Sequence, residues 1–130
     1  MRSRDTLLRL HRFRTEEKRR QVGDIDSMIA DLLRKYDDLD AQVKGEEQRT
    51  GVTDPNHFNY SLAAKSTRGR RDNLLRTIAE LKDQLAAAQA ALAEEEFELR
   101  KIELLAEKEN EQRASVRGQG TQTAFGARTA

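Results

Sequence analysis

Apolar side chains in the first half of the chain fall at Val22, Ile25, Ile29, Leu32, Tyr36, Leu39 and Val43, an unbroken alternation of three- and four-residue steps. This spacing draws an apolar stripe down one face of an α-helix, at two positions in every seven, and is the pattern of a coiled-coil seam. Gly23 and Gly45 are the only weak helix formers within it and no proline interrupts it. A first helix is therefore predicted from Ser3 to about Arg49. The second half repeats the pattern at Leu74, Ile78, Leu81, Leu85, Ala88, Leu92, Leu99 and Ile102, with Glu95 in the one polar slot. A second helix is predicted over about 57–112. Between the two, in RTGVTDPN, Gly51 suits a left-handed C-terminal cap, while Asp54 and Pro55 suit the N-cap and first position of a new helix. The turn is thus expected at about residues 50–56.

If the chain reverses near Pro55, residues whose numbers sum to about 110 face one another in an antiparallel pair. Val22 then meets Ala88, Ile25 meets Leu85, Ile29 meets Leu81, Leu32 meets Ile78 and Tyr36 meets Leu74. Two stripes read separately agree on one register, which a parallel homodimer gives no reason for. The predicted fold is all-α: a long two-helix antiparallel coiled-coil hairpin over residues 1–112, monomeric when free. Charge favours the same pairing, because residues 1–20 carry eight Lys or Arg against three acids and residues 90–110 carry seven Glu against three bases. Each exposed pair adds only ~0.2–1 kcal/mol, so these charges select orientation more than they add stability. At a rise of about 1.5 Å per residue, helices of this length predict a rod on the order of 70 Å.

Composition narrows the class. Apolar and charged residues each make up 36% of the chain, there is no Trp and a single Pro, and a thick globular core is not expected. A net charge of +1 removes the strongly cationic signature of a bulk nucleic-acid binder. The absence of Cys removes disulfides and thiolate metal sites and points to the cytosol. His11 and His57 stand too far apart in sequence for metal-ligand spacing. Arginines interrupt every apolar pair in MRSRDTLLRLHRFR, which leaves no block for a secretory signal. The longest apolar run, LAAAQAALA, is half the length a membrane span requires, so no direct membrane insertion is expected. After Arg113 the sequence turns to Gly, Thr, Gln and Ala without a period, and residues 113–130 are predicted to be a disordered tail.

Candidate chemistry is sparse. Glu94, Glu95 and Glu96, or Asp37 and Asp38, pair carboxylates without a cleft to shift them, and no phosphate-cradling glycine loop, nucleophile with a base, or cofactor motif is present. Catalysis is not expected, and binding is. A basic N-terminal run includes Arg9 and Arg12, and a second patch of Lys65, Arg68, Arg70 and Arg71 near the bend has no evident acidic match, which marks it for an external anionic contact. Apolar residues that two helices cannot bury between themselves are the stronger signal. Leu7, Leu10 and Phe13 lie at one end, Phe58 and Tyr60 at the bend, and Phe97 on an outward face; all are candidates for partner contact. Met28, Leu33 and Leu75 sit beside the stripe and fit flank packing or a local shift of register equally well. Towards the termini the stripe degrades to His11, Thr15 and Lys18, so that end is expected to be poorly self-sealed.

The stretch RDTLLRLHRFRTEEKRRQV, the stripe that follows it, RTGVTDPNHFNY and RRDNLL together resemble the alphaproteobacterial branch of the FliJ family of flagellar export stalk proteins, over residues 2 to about 112. The tail has no counterpart in that pattern. The resemblance implies a fold similar to the two-helix stalk of the rotary ATPase gamma subunit. It also implies a cytoplasmic place beside the flagellar basal body at the inner membrane, and three partners: the hexameric export ATPase, the export gate membrane protein and export chaperones. It implies neither a cofactor nor a nucleic-acid partner. A nucleic-acid-binding helical arm and a generic coiled-coil adaptor are the competing readings of the same residues.

Overall fold

The computed structural model describes the backbone of residues 2–129 and the side chains of residues 3–118. The chain is an all-α helical hairpin, in which α1 (Arg2–Thr50) and α2 (Leu62–Thr129) pack against each other, and no strand occurs among the described residues. It divides into two compact units, residues 19–90 and residues 1–18 with 91–130.

In the unit of residues 19–90, Ile29, Ile78 and Leu81 are buried together, with Ile25, Leu32, Tyr36 and Leu85 packed against them. These are the residues that the antiparallel register pairs, so the heptad stripe of each helix is spent on the other. Nearer the bend, Val43 and Ala64 are almost fully enclosed. A polar tie lies beside this seam: Arg71 donates to Asp40 at 2.9 Å and to Asp72 at 3.1 Å, and Lys44 reaches Asp40 at 2.9 Å.

Hydrogen bonds from Lys44 and then Arg71 hold the Asp40 carboxyl below its ordinary value of 3.8. A carboxyl depressed by folding adds stability above its unfolded pKa, and that stability is lost as pH falls through the folded value. The urea midpoint of the wild type is therefore expected to exceed that of Asp40→Asn at neutral pH. The gap should close as pH drops below about 3.8. A gap that stays constant down to strong acid would show that Asp40 acts through shape alone.

At the bend, Gly51 ends α1 at φ 73°, and its N–H donates to Glu47 O at 2.8 Å. The left-handed conformation turns the chain out of the helix just after this bond, and glycine adopts it without a Cβ penalty. The second helix begins later than its sequence signals predict. Asp54 caps a turn instead of a helix: its carboxylate accepts from Asn56 N at 3.0 Å and its carbonyl from His57 N at 3.0 Å, with Pro55 between. The N-cap is Ser61, whose hydroxyl accepts from Ala64 N at 3.2 Å while its carbonyl accepts from Lys65 N at 3.0 Å. The seam explains the delay, because a start at Ser61 puts Ala64 inside.

In the unit of residues 1–18 and 91–130, Thr15 is fully buried and Ile102 nearly so, flanked by half-buried Leu8, His11, Leu92, Glu95, Leu99 and Ala106. This end is closed, contrary to the expectation of a poorly sealed one, because polar groups replace the missing apolar ones. The Thr15 hydroxyl donates to His11 O at 2.7 Å, leaving its methyl for the seam. His11 Nδ1 lies 3.4 Å from Glu95 Oε2, and Arg4 pairs with Glu109 at 2.7 Å. Polar seam contacts of this kind fix register in coiled coils. Helix α2 continues past Arg113, where composition predicts loss of order. Residues 113–118 are helical with every side chain exposed, and the tail's remaining side chains, 119–130, lie outside the described residues.

Candidate interaction surface

An antiparallel helix pair has a local two-fold axis, so residues one before a seam position on either helix share one flank, and residues one after it share the other. The groove of residues 19–90 obeys this rule. Lys35, Asp38, Arg70 and Asn73, which line it with Leu39 and Leu74, stand immediately before Tyr36, Leu39, Arg71 and Leu74.

The same spacing sorts the surface of the unit of residues 1–18 and 91–130. Leu7, Leu10 and Arg14 precede the seam residues Leu8, His11 and Thr15, while Lys101, Leu105 and Lys108 precede Ile102, Ala106 and Glu109. One flank thus carries Leu7 and Leu10, each 41% exposed, with Leu105, 49% exposed. The other flank collects the charged residues Arg9, Arg12, Glu16, Glu96, Arg100, Glu103 and Glu107, with Ala93 and Asn110 beside them. Leu7, Leu10, Arg9 and Arg12 are neighbours in sequence, yet the fold sends the leucines to one side and these arginines to the other. Phe13 and Phe97 fall midway between seam positions and point outward from the backs of their helices, 63% and 68% exposed. The Lys101 ammonium stands 5.7 Å over the Phe97 ring. Its partner carboxylate, on Glu98, lies at 3.8 Å.

The bend separates the two aromatic residues expected there as a pair. Phe58 is 89% exposed, stacked on His57 with ring centroids 4.8 Å apart. Tyr60 is buried, and its hydroxyl donates to Glu47 Oε2 at 3.3 Å. The tyrosine is an internal anchor of the bend, and the phenylalanine is surface. The basic patch divides as well. Arg70 is exposed along the groove, but Arg71 is half-buried and already bound by Asp40 and Asp72. Burial works against its charge, yet those two hydrogen bonds raise its pKa on balance. The acid missing from the sequence reading is Asp40, and Arg71 is not available for an outside anion.

Leu105 and its neighbour Leu104, 49% and 48% exposed, were not recognised as surface residues from the sequence. A signal for them exists: Ile102 and Ala106 occupy the seam, so neither leucine between them can enter it. Among the described residues there is no cluster of three or more His, Asp or Glu fit to hold a metal. No described helix is long and apolar enough to cross a membrane. No buried side-chain polar atom lacks a hydrogen-bond partner among the described residues. No family model, curated protein or solved structure matches this chain.

Proposed function

We propose that the chain is a non-enzymatic stalk of the flagellar type III export apparatus, of the FliJ kind. It binds and stimulates the hexameric export ATPase and links that ring to the export gate membrane protein and to export chaperones, in the cytoplasm beside the basal body. The reading rests on the resemblance of RDTLLRLHRFRTEEKRRQV, RTGVTDPNHFNY and RRDNLL, and is supported by a helical hairpin that keeps Leu7, Leu10, Phe13, Phe58 and Phe97 on its surface. A stalk needs contact surfaces, and the exposed apolar side chains of the paired helices supply them.

Substoichiometric additions of the purified chain to its cognate export ATPase are expected to raise the rate of ATP hydrolysis and to promote ring assembly. No change in either would overturn the stalk role. Retention on RNA or DNA that falls steeply with salt would instead favour the nucleic-acid reading, against which the capture of Arg71 by Asp40 and Asp72 already weighs.

A further inference from the structure

We propose that His57 is a proton-sensitive latch of the bend: its neutral ring holds the turn that fixes Phe58 at the tip, and a proton on that ring releases it. The inference rests on the geometry of the bend and not on the export reading. The His57 backbone is pinned on both sides, its N–H donating to Asp54 O and its carbonyl accepting from Tyr60 N, each at 3.0 Å. Its side chain closes a second, smaller turn, because Nδ1 accepts from Asn59 N at 3.0 Å. Asp54 makes the same reach to the residue two positions on, with its carboxylate accepting from Asn56 N at 3.0 Å. Side-chain turns of this kind are ordinarily made by Asp or Asn, and here an imidazole takes that place. Phe58 lies between the two ends of the His57 turn, 89% exposed and stacked on the same ring with centroids 4.8 Å apart.

The two turns answer to acid differently. A carboxyl keeps an acceptor oxygen in either protonation state, whereas an imidazole accepts only while one nitrogen is bare, and both nitrogens of an imidazolium are donors. A proton on Nδ1 sets one N–H against another, and the bond from Asn59 is lost. The turn binds only the neutral ring, so it is held at higher pH and given up as pH falls. The backbone bonds to Asp54 and Tyr60 carry no such dependence. Nor does the stack, since a phenyl face also attracts a cation. The titratable and charged groups that the adjoining elements bring to the bend are Glu46, Glu47 and Arg49 at the end of α1, Asp54 and Tyr60 within the bend, and Lys65 in the first turn of α2. The acids are engaged: Glu46 accepts from Arg49 at 2.7 Å, Glu47 from the Tyr60 hydroxyl at 3.3 Å and Asp54 from Asn56. The Asn59 N–H has no second acceptor among the described residues, so release of the ring leaves it to water. Tyr60 stays buried and tied to Glu47, which confines the loosening to Phe58 and Asn59. Acid thus frees the tip without unzipping the seam.

The test follows amide–water exchange by NMR in the full chain at about pH 8 and about pH 5, values that bracket histidine protonation, with each rate divided into the intrinsic rate at that pH. Protection of the Asn59 N–H is expected to fall by about three- to tenfold at the lower pH, the loss of one exposed hydrogen bond. The Asn56 N–H, held by Asp54, should keep its protection. His57→Asn restores an acceptor of the Asp54 kind without a titrating group, so it should protect Asn59 equally at both pH values. His57→Phe keeps a ring beside Phe58 but no acceptor, and should leave Asn59 unprotected at both. Circular dichroism melts of the variants should match the wild type, because His57 is exposed and lies outside the seam. Unchanged protection of Asn59 across the two pH values in the wild type would overturn the proposal, as would a pH dependence that persists in His57→Asn. So would an equal loss at Asn56, which would assign the change to opening of the whole bend.

Discussion

Ile78→Ala is expected to cost about 2–5 kcal/mol of folding stability, read as a fall in urea midpoint by circular dichroism. Ile78 is 3% exposed and packs in the central cluster with Ile29 and Leu81. In a thick globular core, neighbours on several sides can relax into the space left by a truncated side chain. A two-helix seam has one layer, so the vacated space lies between two rigid backbones and opens at both flanks to water. Domains are stable by only about 5–15 kcal/mol, and this single change would remove a large part of that margin. Leu75, three residues earlier, supplies the control: it is 45% exposed, and Leu75→Ala should cost less than about 1 kcal/mol. Equal losses at the two positions would contradict the assignment of Ile78 to the seam and Leu75 to its flank.

A disulfide between Ile25→Cys and Leu85→Cys should form on oxidation within one molecule and raise stability by about 4 kcal/mol, the effect of closing a loop of about sixty residues. Both side chains pack against the cluster of Ile29, Ile78 and Leu81, which places them across the seam from each other. Non-reducing gels would show a monomer of altered mobility, and urea unfolding would show the gain. Pairing Ile25→Cys with Leu74→Cys is the matching control, because Leu74 belongs opposite Tyr36, three helical turns away. Cross-links that form only between molecules, or equal yields from the two pairs, would mean that the stripes do not zip back on themselves in this register.

The success of the pairing rule has a simple origin. Val22 to Val43 and Leu74 to Ile102 are each periodic over several turns, which fixes the faces that meet, and the bend near Pro55 selects one register among the seven-residue slips that periodicity alone allows. Boundaries were less legible. Asp54 followed by Pro55 carries the chemistry of a helix start, and the same chemistry serves a turn equally well. The choice between them falls on whether Ala64 and Tyr60 go inside, which is a property of α1 as much as of the loop. The polar closures were hidden for a related reason. Arg71 finds Asp40 from 31 residues away and His11 finds Glu95 from 84, distances over which no local pattern operates.

Sorting of the surface shows the division most clearly. That Leu7, Leu10 and Phe97 stand outside the stripe follows from helical spacing, and the residues needed for it lie within a few positions of each. That Leu7 and Leu10 join Leu105 while Arg9 and Arg12 face away requires the antiparallel partner at a known level, because a flank exists only once two helices are laid side by side. Element type and pairing partner were therefore written in the chain's periodicity, a short-range property of backbone geometry. The start of α2, the capture of Arg71, the burial of Tyr60 and the gathering of three leucines on one flank come from long-range packing, where each side chain's surroundings are set by residues far away in sequence.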